Sequence, residues 1–398
     1  MAAAQARGSA RDPRVVIIGA GMSGLLMGIR LKQAGVEDFV ILEKAADLGG
    51  TWRENTYPGI ACDIPSHFYS YSFAPNPGWS HWFAPGGEIK DYFASVAQAH
   101  GLPARIRYNS EVAEARRSNG TWRIRCTDGT EMEADMVVAA TGILHHPRMP
   151  DIPGLSDFRG ACFHSAQWRH DEPLDGRRIG VIGTGSTATQ ITAALVPRVG
   201  RLSLFQRTAQ WVFPLPNPEL VTLPIERVEA EGVRTADGHL HALDVLVLAT
   251  GFEAQRYVRA LQLINERGET LVAAWSGGAR ALRSVAVPGF ANFFMVAGPY
   301  TPVGNYPLIQ TSEIQADYIM AFVERFRNGE ASRFEARPEA LERFVQDMDA
   351  GAERTIWHTG GCRSWYLDEH GRISMWPWSF ERFRREMRRP QWQEYTVS

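Results

Sequence analysis

Val15-Val16-Ile17-Ile18-Gly19-Ala20-Gly21-Met22-Ser23-Gly24 is the stretch that decides the fold. Its first four residues, all apolar and β-branched, read as a short strand buried on both faces. Gly19, Gly21 and Gly24 then lead into an apolar helical stretch that runs to about Lys32, and Gly35 ends it. Phe39-Val40-Ile41-Leu42 follows as a second strand with Glu43 at its tip. Strand, glycine turn, helix and strand in this order make the unit of a dinucleotide-binding fold. The first two glycines permit a tight turn and close approach of backbone to a pyrophosphate, while Gly24 lets helix and strand pack. Glu43, 19 residues beyond Gly24, falls where an acid receives ribose hydroxyls.

The plan recurs. Arg178-Ile179-Gly180-Val181-Ile182 runs into Gly183-Thr184-Gly185-Ser186-Thr187-Ala188, a second glycine turn with a helix behind it. The strand after that helix, residues 202–205, ends in Gln206-Arg207-Thr208 instead of an acid. A basic residue there suits a 2′-phosphate and points to NADP; the competing reading of Arg207 is a solvated surface arginine. Each copy closes alike. Residues 122–126, the turn Asp128-Gly129 and residues 136–140 read as a small meander ending in Ala140-Thr141-Gly142. Residues 227–228, 232–235, the turn Asp237-Gly238 and residues 245–249 repeat it, ending in Ala249-Thr250-Gly251. The expected fold is therefore α/β with two Rossmann-like domains, the second inserted in the first. Residues 1–150 and 252–398 would form the FAD-binding domain and 151–251 the NADPH-binding domain. An acid-tipped copy and an arginine-tipped copy together imply hydride transfer from NADPH to a flavin.

Composition narrows the rest. The chain has 398 residues, enough for two or three domains, and its 44% apolar and 22% charged residues are ordinary for a globular protein. With 42 basic and 44 acidic side chains the net charge is −2, so no global basic field exists to hold nucleic acid or an anionic membrane. Arginines at 382–389 read as a solvated tail. Cys62, Cys126, Cys162 and Cys362 are scattered, with no CxxC pair, which fits a reducing cytoplasm. Neither His145-His146 nor His358 with Cys362 offers a metal enough ligands, so no metal is expected. The uncharged stretch 284–312 carries Pro288, Pro299, Pro302 and Pro307 and cannot be one spanning helix.

Between these landmarks the chain resembles the class B flavoprotein monooxygenases, specifically the Baeyer–Villiger monooxygenases. Phe158, Gly160, His164 and Trp168 fit the fingerprint FxGxxxHxxxW, although Arg169 follows where Pro or Asp is usual. GGTWRENTYPGIACD, residues 49–63, fits the signature GGxWxxxxYPGxxxD. The resemblance continues through CDIPSHFYSYSF, through FMVAGP and through the tail CRSWYLDEHGRISMWPWSF, and spans nearly all of the chain. It implies an FAD- and NADPH-dependent enzyme that uses a C4a-peroxyflavin to insert one atom of O2 into a ketone or aldehyde, giving an ester or lactone. Heteroatom oxygenation at sulfur or nitrogen, an uncoupled NADPH oxidase releasing H2O2, and a non-catalytic flavoprotein module stay open as alternatives.

Residue by residue, the resemblance assigns Asp63 to the catalytic centre. It places Gly50, Thr51, Trp52, Asp63, Tyr69, Val112 and Leu308 toward the flavin half of FAD, beyond the turn Gly19, Gly21, Gly24 and Glu43. NADPH would meet Gly183, Thr184, Gly185, Ser186, Thr187, Ala188, Gln190, Arg207, Thr208 and Trp365. On the residues alone, His164 and Trp168 also read as a core histidine over an aromatic; the fingerprint assigns Phe158, Gly160, His164 and Trp168 to the linker between the nucleotide domains. One departure stands out. Relatives carry a largely helical insertion after the stretch reading RTAQWVFPLPN here, and this chain passes straight from Asn217 to Pro218. That segment brings part of the substrate roof and an active-site arginine that partners the aspartate. By motif position, Arg53 and Arg363 are the nearest candidates to replace it.

Overall fold

The computed structural model describes residues 11–206, 225–252, 257–258, 260–303, 306–359, 366–368 and 371–398. Val15–Ile18 is buried along its whole length and lies at the centre of a five-stranded sheet. The order across that sheet is Phe293–Met295, Met136–Ala139, Val15–Ile18, Phe39–Leu42 and Ile106–Arg107, every pair parallel. Alternate residues of the central strand feed two cores. Val15 and Ile17 pack with helix Met22–Gln33 and the aromatic residues behind it, while Val16 and Ile18 pack with Trp122, Phe290 and Phe293 on the other face. Burial on both sides is what an unbroken β-branched run provides, each such side chain contributing about 1.5–3 kcal/mol.

The second sheet has four parallel strands in the order Arg201–Phe205, Arg178–Ile182, Val245–Leu248 and Ala161–His164. The two copies match at the level of single hydrogen bonds. Gly19 N–H donates to the Leu42 carbonyl at 2.8 Å, and Gly183 N–H to the Phe205 carbonyl at 2.9 Å. Gly19 and Gly183 both take positive φ, +106° and +124°, a turn that side chains rarely allow.

Both meanders differ from the expectation. The aspartyl-glycine turns close hairpins onto Glu131–Ala134 and Leu240–Ala242, which are the third strands of the antiparallel layers. Met136–Ala139 and Val245–Leu248 leave those layers and enter the parallel sheets. Their wholly buried apolar runs need two covered faces, and only the sheet centres supply them. The first layer also gains Gln262–Ile264, far along the chain, beside Val112–Ser118. Of the arginines at 382–389, Arg384, Arg385, Arg388 and Arg389 are exposed as expected, and Arg382 is packed down. Arg382 lies on helix Phe380–Glu386, 3.6 Å over the Trp378 ring and paired with Glu386.

The chain enters and leaves the second sheet through one paired connector. Pro147 bridges Phe252 antiparallel, Arg148 N–H donates to the Gly251 carbonyl at 3.1 Å, and Thr250 Oγ1 donates to the Arg148 carbonyl at 2.6 Å.

Candidate active site

The first glycine turn forms a cradle that the backbone alone lines. A Cβ on Gly24 would stand 1.8 Å from the Gly19 carbonyl oxygen, and one on Gly50 would stand 3.0 Å from Gly21 Cα. Gly49 N–H donates to the Ala20 carbonyl at 3.1 Å, so residues 49–50 and 19–21 are held face to face with no side chain between them. Helix Met22–Gln33 begins here, and no side chain caps its first turn. Free amide donors at a helix start, with glycine on both sides, fit a dinucleotide pyrophosphate. At the neighbouring strand tip Glu43 is 4% exposed; its Oε2 accepts from Ala20 N–H at 2.8 Å and its Oε1 from Ala45 N–H at 3.0 Å. The donor set fits FAD.

Beyond the cradle, Thr51 and Trp52 lie on the short helix Thr51–Glu54. Trp52 Nε1–H donates to the Tyr69 hydroxyl at 3.1 Å, and the two rings meet edge to face at 5.6 Å. Leu308 opens helix Leu308–Arg327, whose start lies beside that of Met22–Gln33, since the Ser23 and Ser312 hydroxyls are 3.2 Å apart. Val112 departs from the expectation. It packs with Ile18, Leu42 and Cys126 on the opposite face of the sheet, next to Ser110, whose N–H donates to the Glu43 carbonyl at 2.9 Å. It stands on the Glu43 side of the cradle, its strand starting two residues beyond Ser110. Arg53 departs too. Its guanidinium is bonded to Glu43, Glu54 and the Asp47 carbonyl, on the Glu43 side of the cradle, so it does not replace the missing arginine at Asp63.

The second glycine turn meets the first through residues 57–63. The Tyr57 hydroxyl donates to Gln190 Oε1 at 3.0 Å, and Gln190 Nε2 donates to the Ala61 carbonyl at 2.9 Å. Gln190 lies on helix Ser186–Leu195, which starts at Gly185, again without a side-chain cap. Ser186 Oγ donates to Asp63 Oδ2 at 3.1 Å. Among the described residues this is the only hydrogen bond of the Asp63 carboxylate, and it has no ion pair there. Burial, and behind it the Asp63 charge, raises the hydroxyls of Tyr57 and Tyr366, and burial, then Cys62 and Asp63, raises that of Tyr69. Burial and the Asp63 charge also push the Cys62 thiol up to about 12, so Cys62 stays protonated. Thr184, Thr187 and Ala188 belong to the same turn and helix. Arg207, Thr208, Trp365 and Arg363 lie outside the described residues, as does the junction of Asn217 with Pro218.

Comparison with known proteins bears on this pair of sites. The pyridine nucleotide-disulphide oxidoreductase family matches residues 16–230. A Baeyer–Villiger monooxygenase of Streptomyces coelicolor is 35% identical, over 96% of this chain and 92% of its own. The chain belongs to the Baeyer–Villiger monooxygenases. It is a flavoprotein monooxygenase with the two-domain architecture of that family. An uncharacterized monooxygenase of Mycobacterium tuberculosis is 39% identical over 93% of each chain. A cyclohexanone monooxygenase from Rhodococcus shares the fold at a TM-score of 0.87 and 24% identity, covering 97% of this chain and 99% of that one. The alignments with the two curated relatives run over 460 and 480 positions, longer than the 398 residues here, so both carry residues without a counterpart in this monooxygenase.

In this Baeyer–Villiger monooxygenase His164 is the fingerprint residue that reaches the connector. His164 ends strand Ala161–His164; its Nδ1 accepts from Ala166 N–H at 3.1 Å, so its Nε2–H donates to the Gly251 carbonyl at 3.1 Å. Gly251 is the same residue that receives Arg148 N–H. Trp168 stacks edge to face on Phe163 at 5.2 Å, Phe158 is buried, and a Cβ on Gly160 would stand 2.3 Å from the Asp244 carbonyl. The sequence did not single out Tyr57 as a contact between domains. Its place in the YPG signature was visible, but its partner Gln190 is 133 residues away.

Proposed function

We propose that this monooxygenase holds FAD at Gly19, Gly21, Gly24, Gly50 and Glu43, and NADPH at the turn Gly183–Ala188. With O2 it would insert one oxygen atom into an organic ketone or aldehyde to give an ester or lactone. The domains follow the division 1–150 with 252–398 for FAD and 151–251 for NADPH, with Arg207 and Thr208 at the 2′-phosphate and Trp365 beside them. When bound, the flavin supplies dioxygen activation and the nicotinamide supplies the hydride. The chain's own contribution is placement: two uncapped helix starts take the diphosphates, Glu43 takes the ribose hydroxyls, and the Trp52–Tyr69 wall keeps water from one side of the site. The single observation that carries this reading is the joining of the two glycine-turn domains by Tyr57, Ala61 and Gln190, with Asp63 at the seam.

Three free thiols, Cys62, Cys126 and Cys162, support a reducing cytoplasm, and no helix among the described residues is long and apolar enough to cross a membrane. The test is a coupling measurement with purified protein, ketones and NADPH. NADPH consumption matched by ester or lactone supports the proposal, and consumption matched by sulfoxide or N-oxide from added sulfides or amines, but no ester, replaces it with heteroatom oxygenation. A second reading is favoured by one observation, the Asp63 carboxylate without a cationic partner among the described residues. An uncompensated charge site stabilises a developing anion poorly, so this enzyme would release much of its reducing power as H2O2. Consumption matched by H2O2 would select that reading.

A further inference from the structure

Arg53 has no part in the seam between the domains, yet it is one of the best-held side chains near the flavin cradle. Its side chain is 15% exposed. The guanidinium donates to three acceptors at once: Glu43 Oε1 at 3.0 Å, the Asp47 carbonyl at 2.6 Å and Glu54 Oε1 at 2.8 Å. These fix its plane. Glu43, thus gripped from one side, is gripped from the other by Ala20 N–H, inside the glycine turn itself. The strand tip, the glycine turn and the 49–54 segment are therefore tied together through one carboxylate.

A second carboxylate shares the same cation. Glu54 is half-buried, and its Oε2 is buried without a hydrogen-bond partner. Burial raises the Glu54 carboxyl; Lys44 and Arg53 oppose the rise, and the Glu43 charge adds to it. The other groups facing this cluster are Lys44, 3.8 Å from Glu54, and Lys90, 2.5 Å from Asp47. His145 lies against Lys44 at 3.4 Å, with the His146 ring tilted against it at 3.8 Å, and burial first, then those neighbours, pushes His145 down to about 3. His145 is thus neutral at working pH and adds no charge. Arg53 is the cation that Glu43 and Glu54 share, at 3.0 and 2.8 Å.

We propose that Arg53 is a positioning residue for the adenosine end of FAD: it holds Glu43 turned to the glycine turn, with its outer lone pairs presented to the ribose hydroxyls. This rests on the reading of Glu43 as the ribose acceptor. It separates the two ends of the flavin dinucleotide, because an FMN molecule has no adenosine and never meets Glu43. Removing Arg53 lets Glu43 swing away from the ribose and sets it against Glu54. The loss then falls on FAD alone.

The test measures dissociation constants of FAD and of FMN by flavin fluorescence on protein stripped of flavin, between pH 6 and 8. Arg53→Gln is expected to raise the FAD constant about ten- to a hundredfold at pH 8, the size of one lost charge-assisted contact, with FMN unchanged. Arg53→Lys, which keeps the charge but loses the three-way fork, should give a smaller defect, and it serves alone if the glutamine variant does not fold. Equal weakening of FAD and FMN would show a merely structural arginine and overturn the proposal, as would unchanged FAD binding in both variants. Glu43→Gln separates the two readings. If it leaves FAD binding intact, the ribose reading fails and the proposal with it; if it weakens FAD while the Arg53 variants do not, the proposal fails alone.

Discussion

Ser186 donates its hydroxyl hydrogen to Asp63 at 3.1 Å, joining residues 123 positions apart where the two glycine-turn domains meet. The hydroxyl belongs to the first residue of helix Ser186–Leu195, so a diphosphate arriving there competes with Asp63 for it. Ser186→Ala is expected to raise the NADPH KM about three- to tenfold with kcat changed less than about twofold, the pattern of a lost uniform binding contact. Steady-state kinetics at varied NADPH checks this. A fall in kcat at constant KM would place Ser186 in the chemical steps.

Asp63 itself faces Ser186 and no cation among the described residues. Asp63→Ala is therefore expected to change NADPH oxidation in the absence of organic substrate by less than about tenfold, some 1.4 kcal/mol in barrier. A larger loss, read from NADPH absorbance, would reveal a cationic partner that Asp63 holds in the working enzyme.

Gly24 tolerates no side chain. Its Cβ would lie 1.8 Å from the Gly19 carbonyl oxygen, which is backbone and cannot swing aside. Gly24→Ala must push the helix off the turn that holds the pyrophosphate, and is expected to destabilise by roughly 3 kcal/mol or more. Thermal unfolding and the flavin absorbance retained on purification check it together; a yellow protein with an unchanged midpoint would contradict the clash.

Local spacing made the two glycine turns and Glu43 legible in the sequence, because a tight turn, a helix start and a strand tip are all settled within a few dozen residues. Where Val112 would sit was not, since that depends on which face of the sheet its strand covers. The third strands of the antiparallel layers were misplaced for a related reason: Met136–Ala139 and Glu131–Ala134 are consecutive, and only the buried faces of the parallel sheet decide which one it takes. Motif position made Arg53 a candidate partner for Asp63, but its direction is set by the acceptors Glu43, Asp47 and Glu54, which spacing does not show.

His164 gives the molecule a pH dependence of known sign. Burial lowers its pKa from the usual value, and the Gly251 carbonyl only partly opposes the shift. Its Nδ1 already accepts from Ala166 N–H, so a second ring proton would collide with that donor. The unfolded chain therefore takes up a proton near pH 6.5 that the folded chain refuses. Stability is unaffected above that pH and falls as pH drops below it, by up to about 1.4 kcal/mol per unit until the folded-state pKa is reached. Thermal midpoints at pH 7.5 and 5.5 should converge in His164→Asn relative to the parent. An undiminished acid slope in the variant would assign it to other groups.

The connector at Pro147 and Phe252 has a consequence for how such an enzyme can be rebuilt. Arg148 and Gly251 are hydrogen-bonded neighbours, so the chain between them leaves and re-enters the first domain at one doorway, with Tyr57, Ala61 and Asp63 holding it at the seam. A short turn across that doorway would leave the strand order of the first sheet intact and close a far smaller loop, at lower entropic cost. The inserted segment is, in effect, a cassette. It can be lifted out, or exchanged for that of a relative, at two adjoining backbone positions, and a hybrid made in this way would inherit its flavin end from one parent and its nicotinamide end from the other.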